Sequence, residues 1–192
     1  MTEKNVSKIK LPVGGRIGRL ANIILQETNP SITEKVMKDF HVFESTKSYS
    51  EKARWIGNMI ERIENYVSPK LCTKIMERCG RKCCGITTRK NAKQFMSESK
   101  SIKEFLNKLN KHGIGGGRLR LKGKNTVTGG YDRCYCGQVK KTQKPFPTKT
   151  YCQCSVGWYK QLFESALGKE VEVELISSII TGAKTCEFLI HI

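Results

Sequence analysis

Two hydrophobic periods divide the chain. Through the first half, apolar residues recur at helical spacing. Near the end they alternate strictly with charged ones. Ser31-Ile32-Thr33-Glu34, just after Pro30, has the form of a capping box, and Val36, Met37 and Phe40 then share a face. Ser50 is placed to cap a longer helix with Trp55, Ile56, Met59, Ile60, Ile63 and Val67 on one side. Ser68-Pro69 predicts a new start, because a first helical position has no intrahelical amide bond for proline to lose. Leu71, Cys72, Ile75, Met76 and Cys79 form that helix's apolar face. Gly80 is placed to end it, so Cys83 and Cys84 fall in the turn beyond. A short helix is expected over 89–96, and Ser101-Ile102-Lys103-Glu104 is a second capping box ahead of Phe105, Leu106 and Leu109.

The second half changes character at Gly113-Ile114-Gly115-Gly116-Gly117, which lacks the phosphate-loop pattern and reads as a hinge into a sheet. Residues 118–122 alternate basic and apolar, as an edge strand does. Segments 125–127 and 132–139 are expected strands, and 140–150, with Pro145 and Pro147, a basic loop. That makes 134–139 and 150–154 antiparallel neighbours. Ser155 is placed to cap a helix carrying Trp158, Tyr159, Leu162, Phe163, Ala166 and Leu167, closed by Gly168. Val171, Val173 and Leu175 then alternate with Glu170, Glu172 and Glu174. A turn at 181–184 leads to Cys186, Phe188, Ile190 and Ile192 on one face. The expected fold is therefore α+β in a single domain over 1–192. N-terminal helices in 1–112 pack on an antiparallel sheet in 113–192, which one helix near 155–167 interrupts.

Cysteine usage adds candidate chemistry. Cys134-Tyr135-Cys136 and Cys152-Gln153-Cys154 are matched pairs separated by fifteen residues. On extended strands, residues i and i+2 point to one face, so each pair aims two sulfurs at one point. Together Cys134, Cys136, Cys152 and Cys154 have the donor chemistry of a tetrahedral zinc or iron-sulfur site. The alternative is four half-buried cysteines acting as small apolar residues. Nine cysteines are an odd number for a disulfide scaffold.

Residues 1–10 are polar and basic without an apolar core, unlike a secretory signal, and no apolar run approaches the ~20 residues that span a bilayer. A cytoplasmic protein with no membrane span is expected. The formal charge is +18, and between 89 and 124 eleven basic residues face two acidic ones. That balance suits a polyanion partner such as nucleic acid, or a plain solvated surface. Only Phe95 and Phe105 interleave the basic stretch, so stacking platforms for single strands are not evident.

The last forty residues resemble the 4-vinyl reductase-like family, which includes predicted hydrocarbon-binding proteins and aromatic-sensing domains of bacterial regulators. The resemblance rests on Cys152-x-Cys154-Ser155-x-Gly157, a helix, Gly168, and Val173-Glu174-x2-Ser177-x4-Gly182-x3-Cys186-x-Phe188. It implies a pocket for a small apolar or aromatic molecule between helix and hairpin. In sensory members it also implies a zinc held at positions matching Cys154 (or Cys152), Glu174, 177 and Cys186. Position 177 is Ser177, so that third ligand is replaced. Cys79-Gly80-Arg81-Lys82-Cys83-Cys84 looks like a feature of bacterial proteins near this family, and a cysteine-rich hydrolase family that opens an amino-thiazoline ring is similar in appearance.

Three functions follow as expectations. A ligand-binding module would use Trp158, Tyr159, Phe163 and Phe188, residues that read equally as core, with a structural cysteine metal site. A cysteine-dependent, hydrolase-like enzyme would use Cys83, Cys84 or Cys134, whose neighbours Arg81, Lys82 and Arg133 favour a thiolate. His41, His112 and His191 are its candidate bases, and none sits in a motif. A nucleic-acid binder would use 89–124, without any helix-turn-helix or zinc-finger signature.

Overall fold

A computed structural model of the chain describes residues 10–192, so the start of the segment compared above with a secretory signal lies outside the described residues. Helices α1 (Gly15–Glu27), α2 (Pro30–Val36), α3 (Phe40–Ser45), α4 (Tyr49–Tyr66), α5 (Pro69–Cys83), α6 (Ile86–Ser97) and α7 (Ile102–Lys111) come first. Strands β1 (Arg120–Leu121) and β2 (Thr126–Tyr131) follow, then helix α8 (Gln153–Leu167) and strands β3 (Glu172–Ser177) and β4 (Cys186–His191). The four strands form one antiparallel sheet in the order β1-β2-β4-β3. The architecture is α+β, with α8 interrupting the sheet as its sequence position predicts.

Helix starts follow local chemistry, sometimes displaced from the expected residue. Asn29, rather than the Ser31 box, caps α2: its side chain accepts from the Ile32 amide at 3.0 Å, and Pro30 takes the first helical position. Ser48, two residues before Ser50, accepts from Glu51 N–H at 3.3 Å to start α4. Ser68-Pro69 opens α5 and Ser101 opens α7, as expected. Glu104 returns the favour by accepting from the Lys100 amide at 2.9 Å.

Two apolar clusters fill the molecule. One lies among α1, α2, α4 and α5, around Ile23, Ile24, Ile56, Met59 and Ile63. The other joins α6, α7 and α8 to the sheet, around Phe105, Leu109, Phe163, Phe188 and Ile190. Alternation in β4 works as its pattern predicts: Cys186, Phe188 and Ile190 are buried while Glu187 is exposed.

Three local expectations are corrected. Segment 132–139 is not a strand. The β4 partner begins at Cys186, which faces Tyr131, so beyond Tyr131 there is no edge to pair with, and the chain turns through Val139 N–H and Lys140 N–H bonds to the Cys136 carbonyl. Segment 150–154 is not a strand either. It forms a single helical turn, Thr150–Cys152, and runs into α8, which starts at Gln153 rather than being capped by Ser155. Gly80 does not end α5, which continues to Cys83.

Gly80 serves a different purpose. Helices α5 and α8 cross so closely that a Cβ on Gly80 would overlap the Cys154 carbonyl, and one on Gly157 would overlap the Glu77 carbonyl. Lys160 bonds Glu77 at 2.9 Å and Arg81 pairs with Glu164 across the same crossing. This crossing brings the cysteines of α5 beside those at the start of α8.

Candidate functional site

A cavity of about 470 Å³ lies where α1, α5 and the start of α8 meet the end of β2 and the loop after it. Six of the nine cysteines line it: Cys83, Cys134, Cys136, Cys152, Cys154 and Cys186. Local structure explains the gathering. Cys83 is the last residue of α5, Cys154 sits in the first turn of α8 across the glycine crossing, and Cys186 opens β4 opposite Tyr131. The loop after β2 then carries Cys134 and Cys136 over the start of α8. The two C-x-C pairs therefore share one cavity wall, although neither lies on a strand. All nine cysteines are free thiols.

Arg16, near the start of α1, reaches into this group. Its Nη1 donates to Cys136 Sγ at 2.7 Å and its Nη2 to Cys83 Sγ at 3.3 Å. Arg19, one turn on, donates to Cys83 Sγ at 3.8 Å. The Tyr151 hydroxyl lies 3.1 Å from the same Cys136 sulfur. Cys152 Sγ is 3.0 Å from the buried Ser178 Oγ, and Cys186 Sγ accepts from the Ile179 amide at 3.3 Å.

These partners divide the thiols. The Cys79 thiol beside it, then the Arg16 charge and the N–H groups of Arg16 and Arg19, hold Cys83 well below the usual thiol range, against the opposing effect of burial. Burial pushes Cys134 up to about 11 and Cys154 up to about 12, and raises Cys152 further. The lowered Cys83 thiol thus shares the cavity with Cys134, Cys152 and Cys154, whose thiols burial keeps protonated. The rest of the wall carries Trp158, Tyr131, Tyr151 and the exposed Tyr135 beside Arg16 and four glycines.

A family model matches residues 18–192 of the chain, that of a family of unknown function, DUF6144. The chain belongs to that family. The match takes in every cysteine on the cavity wall of this DUF6144 protein and begins two residues after Arg16. No curated protein matches the chain.

The structure separates the residues expected to bind ligand. Trp158 lines the cavity. Tyr159, Phe163 and Phe188 instead lie in the core: Tyr159 donates to the Gly115 carbonyl at 3.0 Å, Phe163 packs edge-on against Phe105, and Phe188 lies against Tyr159 and Tyr131. Sequence reasoning missed Arg16, Tyr131 and Tyr151. The basic start of α1 carried no periodic or motif signal that set Arg16 apart from the chain's many other cations.

Of the zinc set that the family resemblance implied, Cys154 and Cys186 reach the cavity. Glu174 is instead exposed on β3, 2.6 Å from His191, and Ser177 donates to the Thr185 carbonyl at 2.8 Å. The two C-x-C pairs supply soft donors, but a dication at Cys136 would meet the Arg16 guanidinium at hydrogen-bond range. Arg16 holds that side of Cys136. Among the described residues, no three Cys, His, Asp or Glu side chains converge as metal ligands. The histidines His41, His112 and His191 all lie away from the cavity wall, and among the described residues no carboxylate lines it. The basic stretch 89–124 runs through α6, α7, the glycine turn and β1, with Lys90, Lys93, Lys100, Lys103 and Lys111 exposed. Among the described residues no helix is long and apolar enough to cross a membrane.

Proposed function

We propose that the chain binds a small organic molecule in the cysteine-lined cavity, its aromatic or apolar body against Trp158 and Tyr135 and an anionic end on Arg16. The observation that carries this reading is the cavity itself. Its volume, about 470 Å³, falls within the roughly 300–1,000 Å³ of small-molecule sites. Its wall pairs aromatic faces with a permanent cation, and a guanidinium has five donors, of which the two sulfurs take two. The resemblance of the last forty residues to ligand-binding domains of the 4-vinyl reductase-like family supports the same reading.

Calorimetric titration with 2-naphthoate, and with uncharged 2-naphthamide as its comparison, tests both halves. Trp158→Ala is expected to weaken both probes about tenfold, through lost aromatic contact. Arg16→Met is expected to weaken only the carboxylate, by about tenfold or more, because a charge-assisted hydrogen bond is removed. Equal affinities for wild type and both variants, or no heat from either probe at millimolar concentration, would overturn the reading.

A further inference from the structure

Two thiols on the cavity wall share one guanidinium. Arg16 donates from one terminal nitrogen to Cys83 and from the other to Cys136. Both residues are only partly buried, and both face the cavity. Cys83 closes a rigid helix, whereas Cys136 lies in a loop without regular structure, which leaves its sulfur the freer of the two to move. Among the described residues no histidine or carboxylate lines this cavity to serve as a base toward water. What it offers is a nucleophile, a second thiol and two arginines whose N–H groups converge on the nucleophile.

We propose that Cys83 and Cys136 form a redox dithiol that reduces an organic hydroperoxide held in the cavity. This rests on the cavity admitting an aromatic molecule. The Cys83 thiolate attacks the terminal oxygen of ROOH, the one that carries the hydrogen. An S–O bond forms, the O–O bond breaks, and RO⁻ leaves among the donors of Arg16 and Arg19 and takes a proton from water. Cys83 is left as the sulfenic acid. The Cys136 sulfur then attacks the Cys83 sulfur: an S–S bond forms, and the departing hydroxide combines with the Cys136 proton as water. The sum is ROOH plus two thiols giving ROH, a disulfide and water. Two equivalents of an external thiol restore the pair by exchange. The depressed Cys83 titration described above agrees with its role as attacking sulfur.

The test uses the full, reduced chain with cumene hydroperoxide and, separately, hydrogen peroxide. Peptide mapping by mass spectrometry is expected to find a Cys83–Cys136 disulfide and one cumyl alcohol per disulfide. Cumene hydroperoxide should react about tenfold faster than hydrogen peroxide, because the cavity buries its ring. Cys83→Ser should lower consumption at least about 100-fold. Cys136→Ser should stop at a sulfenic acid trapped on Cys83 by dimedone, and Cys72→Ser, off the cavity wall, should consume peroxide as wild type does. Oxidation mapping to other cysteines, undiminished consumption by Cys83→Ser, or a disulfide formed with oxidised glutathione but not with either peroxide would overturn the proposal. Wild-type protein that binds 2-naphthoate yet consumes no peroxide would sink this inference alone. A Cys83–Cys136 disulfide formed at equal rates with both peroxides, without 2-naphthoate binding, would uphold the dithiol and sink the cavity reading beneath it.

Discussion

Gly80→Ala and Gly157→Ala should be among the most destabilising single-methyl additions in this protein. Each added Cβ would overlap a backbone carbonyl of the other helix, Glu77 in one case and Cys154 in the other. A flexible side chain can swing away from such a clash, but a helical carbonyl is held by its own hydrogen bonds. The α5/α8 pair must therefore separate. Inserting atoms into a close contact typically costs about 1–3 kcal/mol, and a backbone collision between two long helices belongs at or above the top of that range. The crossing also sets the Lys160–Glu77 and Arg81–Glu164 pairs and places Cys154 against α5, so spreading it should loosen the cavity as well. Urea denaturation should show the midpoint of Gly157→Ala shifted far below that of Gly137→Ala, a position where an added Cβ meets nothing. Equal midpoints would mean that the helices do not cross as described.

The second large effect concerns Cys83. At pH 7, iodoacetamide should label Cys83 at least about tenfold faster than Cys134, Cys152 or Cys154, because only the thiolate attacks and burial keeps the others protonated. For Cys83 the rate should stay nearly level between about pH 7 and 9, where an ordinary thiol climbs steeply towards its pKa near 8.5. Arg16→Met removes both a charge and a donor and should make that rate climb with pH more steeply than in wild type, with the Cys79 thiol still holding part of the shift. The same shift has a consequence for stability. A thiol whose folded pKa is depressed contributes stability that is present above its unfolded pKa and is lost as pH falls through the folded value. Acidification from pH 9 should therefore erode wild type more than Arg16→Met. Labelling rates that rise with pH in parallel for all cysteines would contradict the arrangement of Arg16 and Cys83.

Much of the fold is legible in the sequence. Helical spacing around Ile56, Met59, Ile60 and Ile63, and alternation around Cys186, Phe188 and Ile190, report burial directly because one face of each element meets a core. Boundaries are less legible: Asn29 and Ser48 outcompete nearby residues of equal capping chemistry. Gly80 misleads for a deeper reason. A glycine near a helix end suggests a stop, but here it is needed by a helix from far along the chain, and pattern within a segment carries no trace of that partner. The site was half legible for the same reason. Paired spacing pointed to Cys134, Cys136, Cys152 and Cys154, which do share a wall. Arg16, more than a hundred residues away in sequence, becomes part of the site only through the packing of α1 on α5. Periodicity likewise could not separate Trp158, on the cavity wall, from its neighbour Tyr159, in the core.

The proposed ligand is a small aromatic anion seated in the cysteine-lined cavity. A crystal structure of the wild-type chain soaked with 2-naphthoate tests it most directly. Electron density for the ring is expected beside Trp158 and Tyr135, with the carboxylate accepting from Arg16. Density for the probe only elsewhere, or the cavity closed by side chains at saturating probe concentration, would contradict it.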